Sequence, residues 1–114
     1  MNISDQFKLF LKILGKIESN NNPNAFNKKE NAIGIYQIRP LYFKDAQKFD
    51  PRLKKYNHWH CFNLWVSQVA VISYLTHYCK TFTLEEMARI HNGGPNGYKK
   101  ASTLKYWKKF VSLI

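Results

Sequence analysis

The run CFNLWVSQVAVISYLTHYC, residues 61–79, is apolar on nearly every side when wound as a helix. Trp65, Val69, Ile72 and Thr76 fall on one face, and Val66, Ala70 and Tyr74 on another. A helix that is apolar round most of its circumference belongs in the middle of a core. On this reading Cys61 and Cys79 stand at the two ends of one helix, about 27 Å apart at 1.5 Å per residue, too far for a disulfide. They are expected as free, buried thiols.

Outward from this run the pattern stays helical. Phe7, Leu11, Leu14 and Glu18 fall at i, i+4, i+7 and i+11, with Phe10 and Ile17 beside them. Ser4 is the expected N-cap of that helix, and Asn20–Asn22 with Pro23 end it. Residues 31–38, NAIGIYQI, read as a short strand or extended turn around Gly34, and 41–49 as a short helix. Thr83 and Glu86 form a T-x-x-E capping box, opening a helix with Leu84, Met87, Ala88 and His91 on one face. That helix stops at Asn92-Gly93-Gly94-Pro95, and Leu104, Trp107, Val111 and Ile114 mark a closing one. Strand signal is sparse, so the fold class is mainly α, with α+β as the most it allows.

The 114 residues make one domain with a modest core, residues 1–114, and no linker or repeat divides them. Lys plus Arg is 18 against 7 acids, a formal charge of +11. Fifteen of those cations are lysines, mobile point charges suited to a diffuse attractive field. An anionic polymer or surface is the implied partner: nucleic acid, acidic lipid or a bacterial wall. Nothing approaches the roughly 20 apolar residues of a membrane span. MNISDQFKLFLKILGK lacks a basic start, a long apolar stretch and a cleavage site, so no signal peptide is expected.

Seven acids can be sorted one by one. Asp5, Glu85 and Glu86 sit in first helical turns, where they complement the helix dipole. Asp50 precedes Pro51 in a turn, and Asp45 is the polar side of a short helix. Glu18 lies one turn past Leu14 on the face that should be buried. A carboxyl in such surroundings has its pKa raised, as a general acid needs; a solvated helix end is the plainer alternative. Glu30 follows in a polar loop, either solvated or folded back over Glu18. His77 and Cys79, at i and i+2 on a helix, point apart, and no CxxC or HExxH spacing occurs. No metal and no cofactor are expected.

Four blocks now stand in order: IESNNNPNAF (17–26), AIGIYQIRP (32–40), ARIHNGGPNGYKK (88–100) and TLKYW (103–107). Together they resemble the lysozyme-like superfamily, across roughly residues 10–110. The first two are similar to the lytic transglycosylase and goose-type lysozyme pattern. The last two are similar to invertebrate-type and small phage lysozymes. The resemblance implies a lysozyme-like fold in which Glu18 is the general acid. It implies that Gln37, His91, Asn92 and Gly93 hold sugars, and that Tyr106 is the aromatic residue near the acid. Members carry an aspartate as second carboxylate in the loop after the glutamate; Glu30 stands nearest, a departure in residue type. The many cysteines of the secreted animal enzymes are absent, which points to a phage or viral protein made in a reducing cytosol and acting at the wall after release.

The expected activity is therefore that of a muramidase, cleaving the β-1,4 link between N-acetylmuramic acid and N-acetylglucosamine of peptidoglycan as a monomer. A lytic transglycosylase using Glu18 alone, with a 1,6-anhydro product, is the alternative within that class. Two others stand outside it: a basic nucleic-acid-binding helical domain, and a wall-binding module without catalysis. Nucleic acid is not the expected partner, because the lysines spread through loops such as KKENA, RLKKY and YKKAS instead of lining one helix.

Overall fold

A computed structural model describes residues 3–114. It contains five α-helices: α1 (Ile3–Ser19), α2 (Pro40–Phe49), α3 (Leu64–Tyr78), α4 (Leu84–Gly93) and α5 (Ser102–Val111). One short antiparallel hairpin, β1 (Phe26–Asn27) and β2 (Ala32–Ile33), lies between α1 and α2. The mainly α architecture with a strand and turn at 31–38 is as the sequence predicts.

α1 buries Phe7, Phe10, Ile13 and Leu14 and keeps Lys8, Lys12 and Lys16 in solvent. Ser4 lies inside the helix, not at its cap. Two consecutive asparagines in left-handed conformation, Asn20 (φ 54°) and Asn21 (φ 62°), stop it, a conformation asparagine tolerates better than most residues. Their amides turn back to the carbonyls of Lys16 and Gly15 at 3.1 and 3.0 Å. The Ser19 hydroxyl then donates to Ile35 O at 2.8 Å, pinning the end of α1 to the turn after β2. The position of Glu18 is fixed by this anchor.

β1 is the partner strand that sequence reading lacks. Phe26 pairs with Ile33 and Asn27 with Ala32, leaving Glu30 in the hairpin turn. Gly34 (φ +82°) must be glycine twice over: its φ is left-handed, and a Cβ would fall on the carbonyl of Cys61.

α3 lies in the core, but not with its whole circumference. Val66, Val69, Ala70, Val71, Tyr74 and Leu75 are buried, whereas Leu64, Trp65 and Thr76 are exposed. Its start also differs from the expectation. Asn63 caps it by accepting from the Val66 amide at 3.1 Å, and Cys61 precedes the cap in a 3₁₀ turn, His58–Phe62. Both thiols are free and buried, and burial pushes each up to about 12.

α4 opens on Thr83, which accepts from the Glu86 amide at 3.1 Å. Glu86 departs from the reciprocal box: its carboxylate accepts the amides of Lys80, Thr81 and Phe82 instead. α5 meets the core through Thr103 and Phe110, with Phe110 stacked on Phe10 at 5.5 Å. Of the apolar residues that mark this helix, Trp107 is partly buried and stacks on Phe110 at 5.7 Å, whereas Leu104, Val111 and Ile114 are exposed. Arg89 of α4 donates to the Thr103 hydroxyl at 2.8 Å, tying the start of α5 to α4.

Candidate active site

Glu18 is the penultimate residue of α1, and its side chain is 18% exposed. Two other helices converge on it. From α5, the Tyr106 hydroxyl donates to Glu18 Oε2 at 2.6 Å. From α4, His91 Nε2 approaches the same oxygen at 3.5 Å. In front lies a cavity of about 140 Å³ lined by Glu18, Asn27, Glu30, Gln37, Arg39, His91 and Asn92. Every one of these lining residues is polar or charged, as a site for a polyhydroxylated ligand requires.

Burial is the largest influence on Glu18 and disfavours its charged form. The Tyr106 hydrogen bond and the Arg39 charge work against burial, the Glu30 charge works with it, and the net result is a carboxyl pushed up to about 7. Glu18 is thus able to hold a proton near neutrality. Tyr106 is itself driven well above the ordinary phenol range, by burial first and the Glu18 carboxyl second, so it remains the donor. Because it serves Oε2, the proton of the neutral acid belongs on Oε1.

His91 is 3% exposed, and burial with the nearby Arg39 charge lowers it to about 3. Its ring is neutral at any working pH. Nε2 lies 3.1 Å from the Tyr36 carbonyl, which can only accept, so the ring hydrogen sits on Nε2. Nδ1 then accepts from the Tyr42 hydroxyl at 2.9 Å. The approach to Glu18 is a contact between a neutral N–H and a carboxyl, not an ion pair. Tyr42 stacks on Tyr74 at 3.7 Å and fills the space behind the ring.

Arg39 Nη2 donates to the carbonyls of His91 and Asn92 at 3.1 and 3.3 Å. A cation on the last carbonyls of α4 is favourable there. It also places a permanent positive charge at the cavity wall. Gln37 takes up a left-handed φ of +54° and uses its Nε2 to brace the turn, donating to Gly34 O at 3.0 Å and Ala25 O at 3.3 Å. Its Oε1 is the atom left to meet a ligand. Glu30 is exposed in the hairpin turn, its amide donating to Asn27 Oδ1 at 3.3 Å.

The cavity continues into a wider groove of about 720 Å³, which shares Glu30, Arg39 and Asn92 and adds Tyr42, Gly93, Gly94 and Lys100 among others. Gly94 (φ +88°) ends α4 in a conformation open only to glycine, leaving backbone along the groove floor.

The structure therefore brings Glu18, Glu30, Gln37, His91 and Asn92 to one cavity, puts Gly93 in the adjoining groove, and sets Tyr106 behind the acid. Sequence reading missed Asn27, Arg39 and Tyr42. Arg39 carried one faint signal, as one of only three arginines among 18 basic residues. Among the described residues no group of His, Cys, Asp and Glu is arranged to hold a metal ion, and no helix is long and apolar enough to cross a membrane.

The chain is similar in sequence and in fold to known proteins. An invertebrate-type lysozyme of Ruditapes philippinarum is 40% identical over 76 residues, 66% of this chain and 55% of that protein. Invertebrate-type lysozyme 6 of Caenorhabditis elegans is 37% identical over 90 residues, 70% of this chain and 65% of that protein. The matched segment thus spans little more than half of the Ruditapes relative's own length. The crystal structure of Tapes japonica lysozyme superposes with a TM-score of 0.75 at 30% identity, covering 90% of this chain and 86% of that one. A Meretrix lusoria lysozyme structure, solved with Aeromonas hydrophila PliI, gives 0.80 at 26% identity, over 93% of this chain and 88% of that one. The profile of the Destabilase family matches residues 8–112, and the chain belongs to that family.

Proposed function

We infer that this chain is a muramidase, hydrolysing the β-1,4 link between N-acetylmuramic acid and N-acetylglucosamine in peptidoglycan. The observation that carries this reading is the Glu18 carboxyl, pushed up to about 7 inside a polar cavity that a second carboxylate, Glu30, also lines. The names and structures of the relatives support the same reaction class.

Glu18 Oε1 gives its proton to the glycosidic oxygen as the bond from that oxygen to the sugar C1 breaks. Positive charge then develops at C1 and its ring oxygen. Glu30, across the cavity, stabilises that charge or takes a proton from the attacking water. Water supplies hydroxyl to C1, and the departing sugar keeps the proton from Glu18. The Glu18 carboxylate left behind is held by the Tyr106 hydroxyl and the Arg39 charge until it is reprotonated. Gln37 Oε1, Asn92 and the backbone at Gly93 hold the sugar hydroxyls and N-acetyl group. The lysine field draws the protein to the anionic wall.

Mass spectrometry of products released from purified peptidoglycan tests this. Hydrolysis yields fragments with a reducing end, one water heavier than the 1,6-anhydro fragments of a transglycosylase. Anhydro products would transfer the attack to the muramyl hydroxyl and remove Glu30 from the chemistry. Intact glycan after prolonged incubation would end the enzyme reading, and tight DNA binding in its place would favour the nucleic-acid alternative.

A further inference from the structure

A second cluster of aromatic and basic groups lies on the segment from Pro51 to the start of α3, and shares no lining residue with the cavity or its groove. Trp59 is 60% exposed and Trp65 is 46% exposed. They are linked by a chain of ring contacts. Trp59 stacks face to face on His60 at 3.9 Å, His60 meets Tyr56 edge-on at 5.2 Å, and Tyr56 meets Trp65 at 6.0 Å. His60 Nδ1 accepts from the Asn57 amide at 2.8 Å, so the ring under Trp59 is itself held. Each indole is thus braced by a neighbouring ring while about half of it stays exposed. Between Tyr56 and Trp65 runs a groove of about 370 Å³, with Arg52, Lys54 and Lys55 along it. Arg52 is engaged by Asp50, while Lys54 and Lys55 are exposed, Lys55 standing over the Tyr56 ring.

Nothing in the core or in the catalytic cavity requires two exposed indoles here. Large exposed apolar side chains gathered in one place mark a binding surface. The shape selects among ligands. A concave site with flat, propped rings suits the C–H face of a pyranose, because rigid rings lose little entropy on stacking. The two exposed lysines call for carboxylate or phosphate on that sugar. A lipid surface is met better by protruding, mobile side chains than by a groove.

We propose that the Tyr56–Trp59–Trp65 cluster is an accessory binding site for an anionic glycan, which holds the protein on its polymeric substrate while the Glu18 cavity works elsewhere on the chain. This rests on the muramidase reading for the identity of the polymer. Two linked sites on one polymer raise retention without any new contact at the reacting bond. The site therefore affects insoluble wall and leaves short soluble substrates untouched.

The test is sedimentation of the protein with insoluble wall sacculi, in a Glu18→Gln background so that the polymer survives. Trp59→Ala/Trp65→Ala should lower binding about tenfold, the scale expected for two lost ring contacts. Trp59→Phe/Trp65→Phe should restore part of it, and Lys54→Ala/Lys55→Ala should weaken it mainly at low salt. In the otherwise wild-type enzyme, the paired alanine variant should turn over a soluble chitin oligomer at the unaltered rate. Undiminished sedimentation of a folded double variant would overturn the site. So would equal loss from the lysine variant alone at all salt concentrations, or indole-dependent binding to phosphatidylglycerol–phosphatidylcholine vesicles instead of sacculi. Intact sacculi after prolonged incubation with the wild type would strike the muramidase reading and leave the sedimentation result standing for the site.

Discussion

Glu18 and Glu86 are both glutamates folded into the protein, and they end in opposite states. At Glu86 burial also favours the neutral form. Three backbone amides, from Lys80, Thr81 and Phe82, and the Thr81 hydroxyl overcome it, and the group lies below the ordinary carboxyl range. Glu18 receives one phenol hydrogen bond, feels Glu30 across the cavity, and rises to about 7. The difference lies in how well each site replaces water. Glu86 is a structural anion that ties the loop before α4; Glu18 is left short of donors and holds its proton to near neutrality.

The largest way to probe this contrast is to neutralise both. Glu18→Gln should lower turnover by about 10³-fold or more, the scale of a lost general acid. Its stability effect has a definite sign. Since the folded pKa is raised, the stability that Glu18 contributes is fullest at acid pH and declines between the unfolded value of 4.5 and about 7. Glu18→Gln should therefore melt higher than wild type at pH 8, by up to about 3 kcal/mol, and gain little at pH 4. An unchanged melting temperature at pH 8 would mean that Glu18 bears no burial penalty.

Glu30→Gln comes next. Loss of the second carboxylate should cost roughly 100-fold in hydrolysis. It also removes a charge that raises Glu18, so the alkaline limb of the remaining activity should move to lower pH. A limb that stays in place would separate the two carboxylates electrostatically.

Tyr106→Phe has the opposite sign. Its hydroxyl lowers Glu18, so its removal should shift the alkaline limb to higher pH, with about a tenfold loss in kcat as the acid loses its fixed orientation. The two shifts, read in one pH series, form a paired check on the electrostatics of the cavity.

Glu86→Gln should leave turnover per folded molecule intact and act on stability alone. Here the folded pKa is depressed, so the contribution is present above the unfolded value and lost as pH falls through the folded one. A destabilisation of about 1–3 kcal/mol at pH 7, fading toward acid pH, is the expected denaturation result.

How much of this could be seen in the sequence follows from the range of the forces involved. The stripe of α1, the Thr83 cap of α4 and the glycine stop at 93–94 are local, and the residues announce them. Which residues of α5 are buried is set from other helices, through Arg89 on Thr103 and Phe10 on Phe110. β1 carries no signal because a strand of two residues has no periodicity to detect. Glu18 and Glu30 stand out when the seven acids are sorted, Gln37 and Asn92 only through motif resemblance, and all four line one cavity. Arg39 lies 52 residues from the His91 carbonyl it binds, a distance no local pattern bridges. His91 was read as a residue that meets sugar; its ring is buried, with both nitrogens occupied by Tyr36 and Tyr42. The bonds of its two ring nitrogens span 55 and 49 residues of sequence, which no local pattern reveals.

The central claim is that Glu18 holds its proton to near neutrality while Glu86 does not. Carbon-13 NMR of protein labelled at the glutamate carboxyl carbons, with the Glu18 and Glu86 signals assigned by the two glutamine variants, measures both in one titration. The account predicts a midpoint near pH 7 for Glu18, and one below 4.5 for Glu86. A Glu18 midpoint at 4.5 or lower would contradict it, because a carboxyl already ionised at neutral pH has no proton to donate to a glycosidic oxygen.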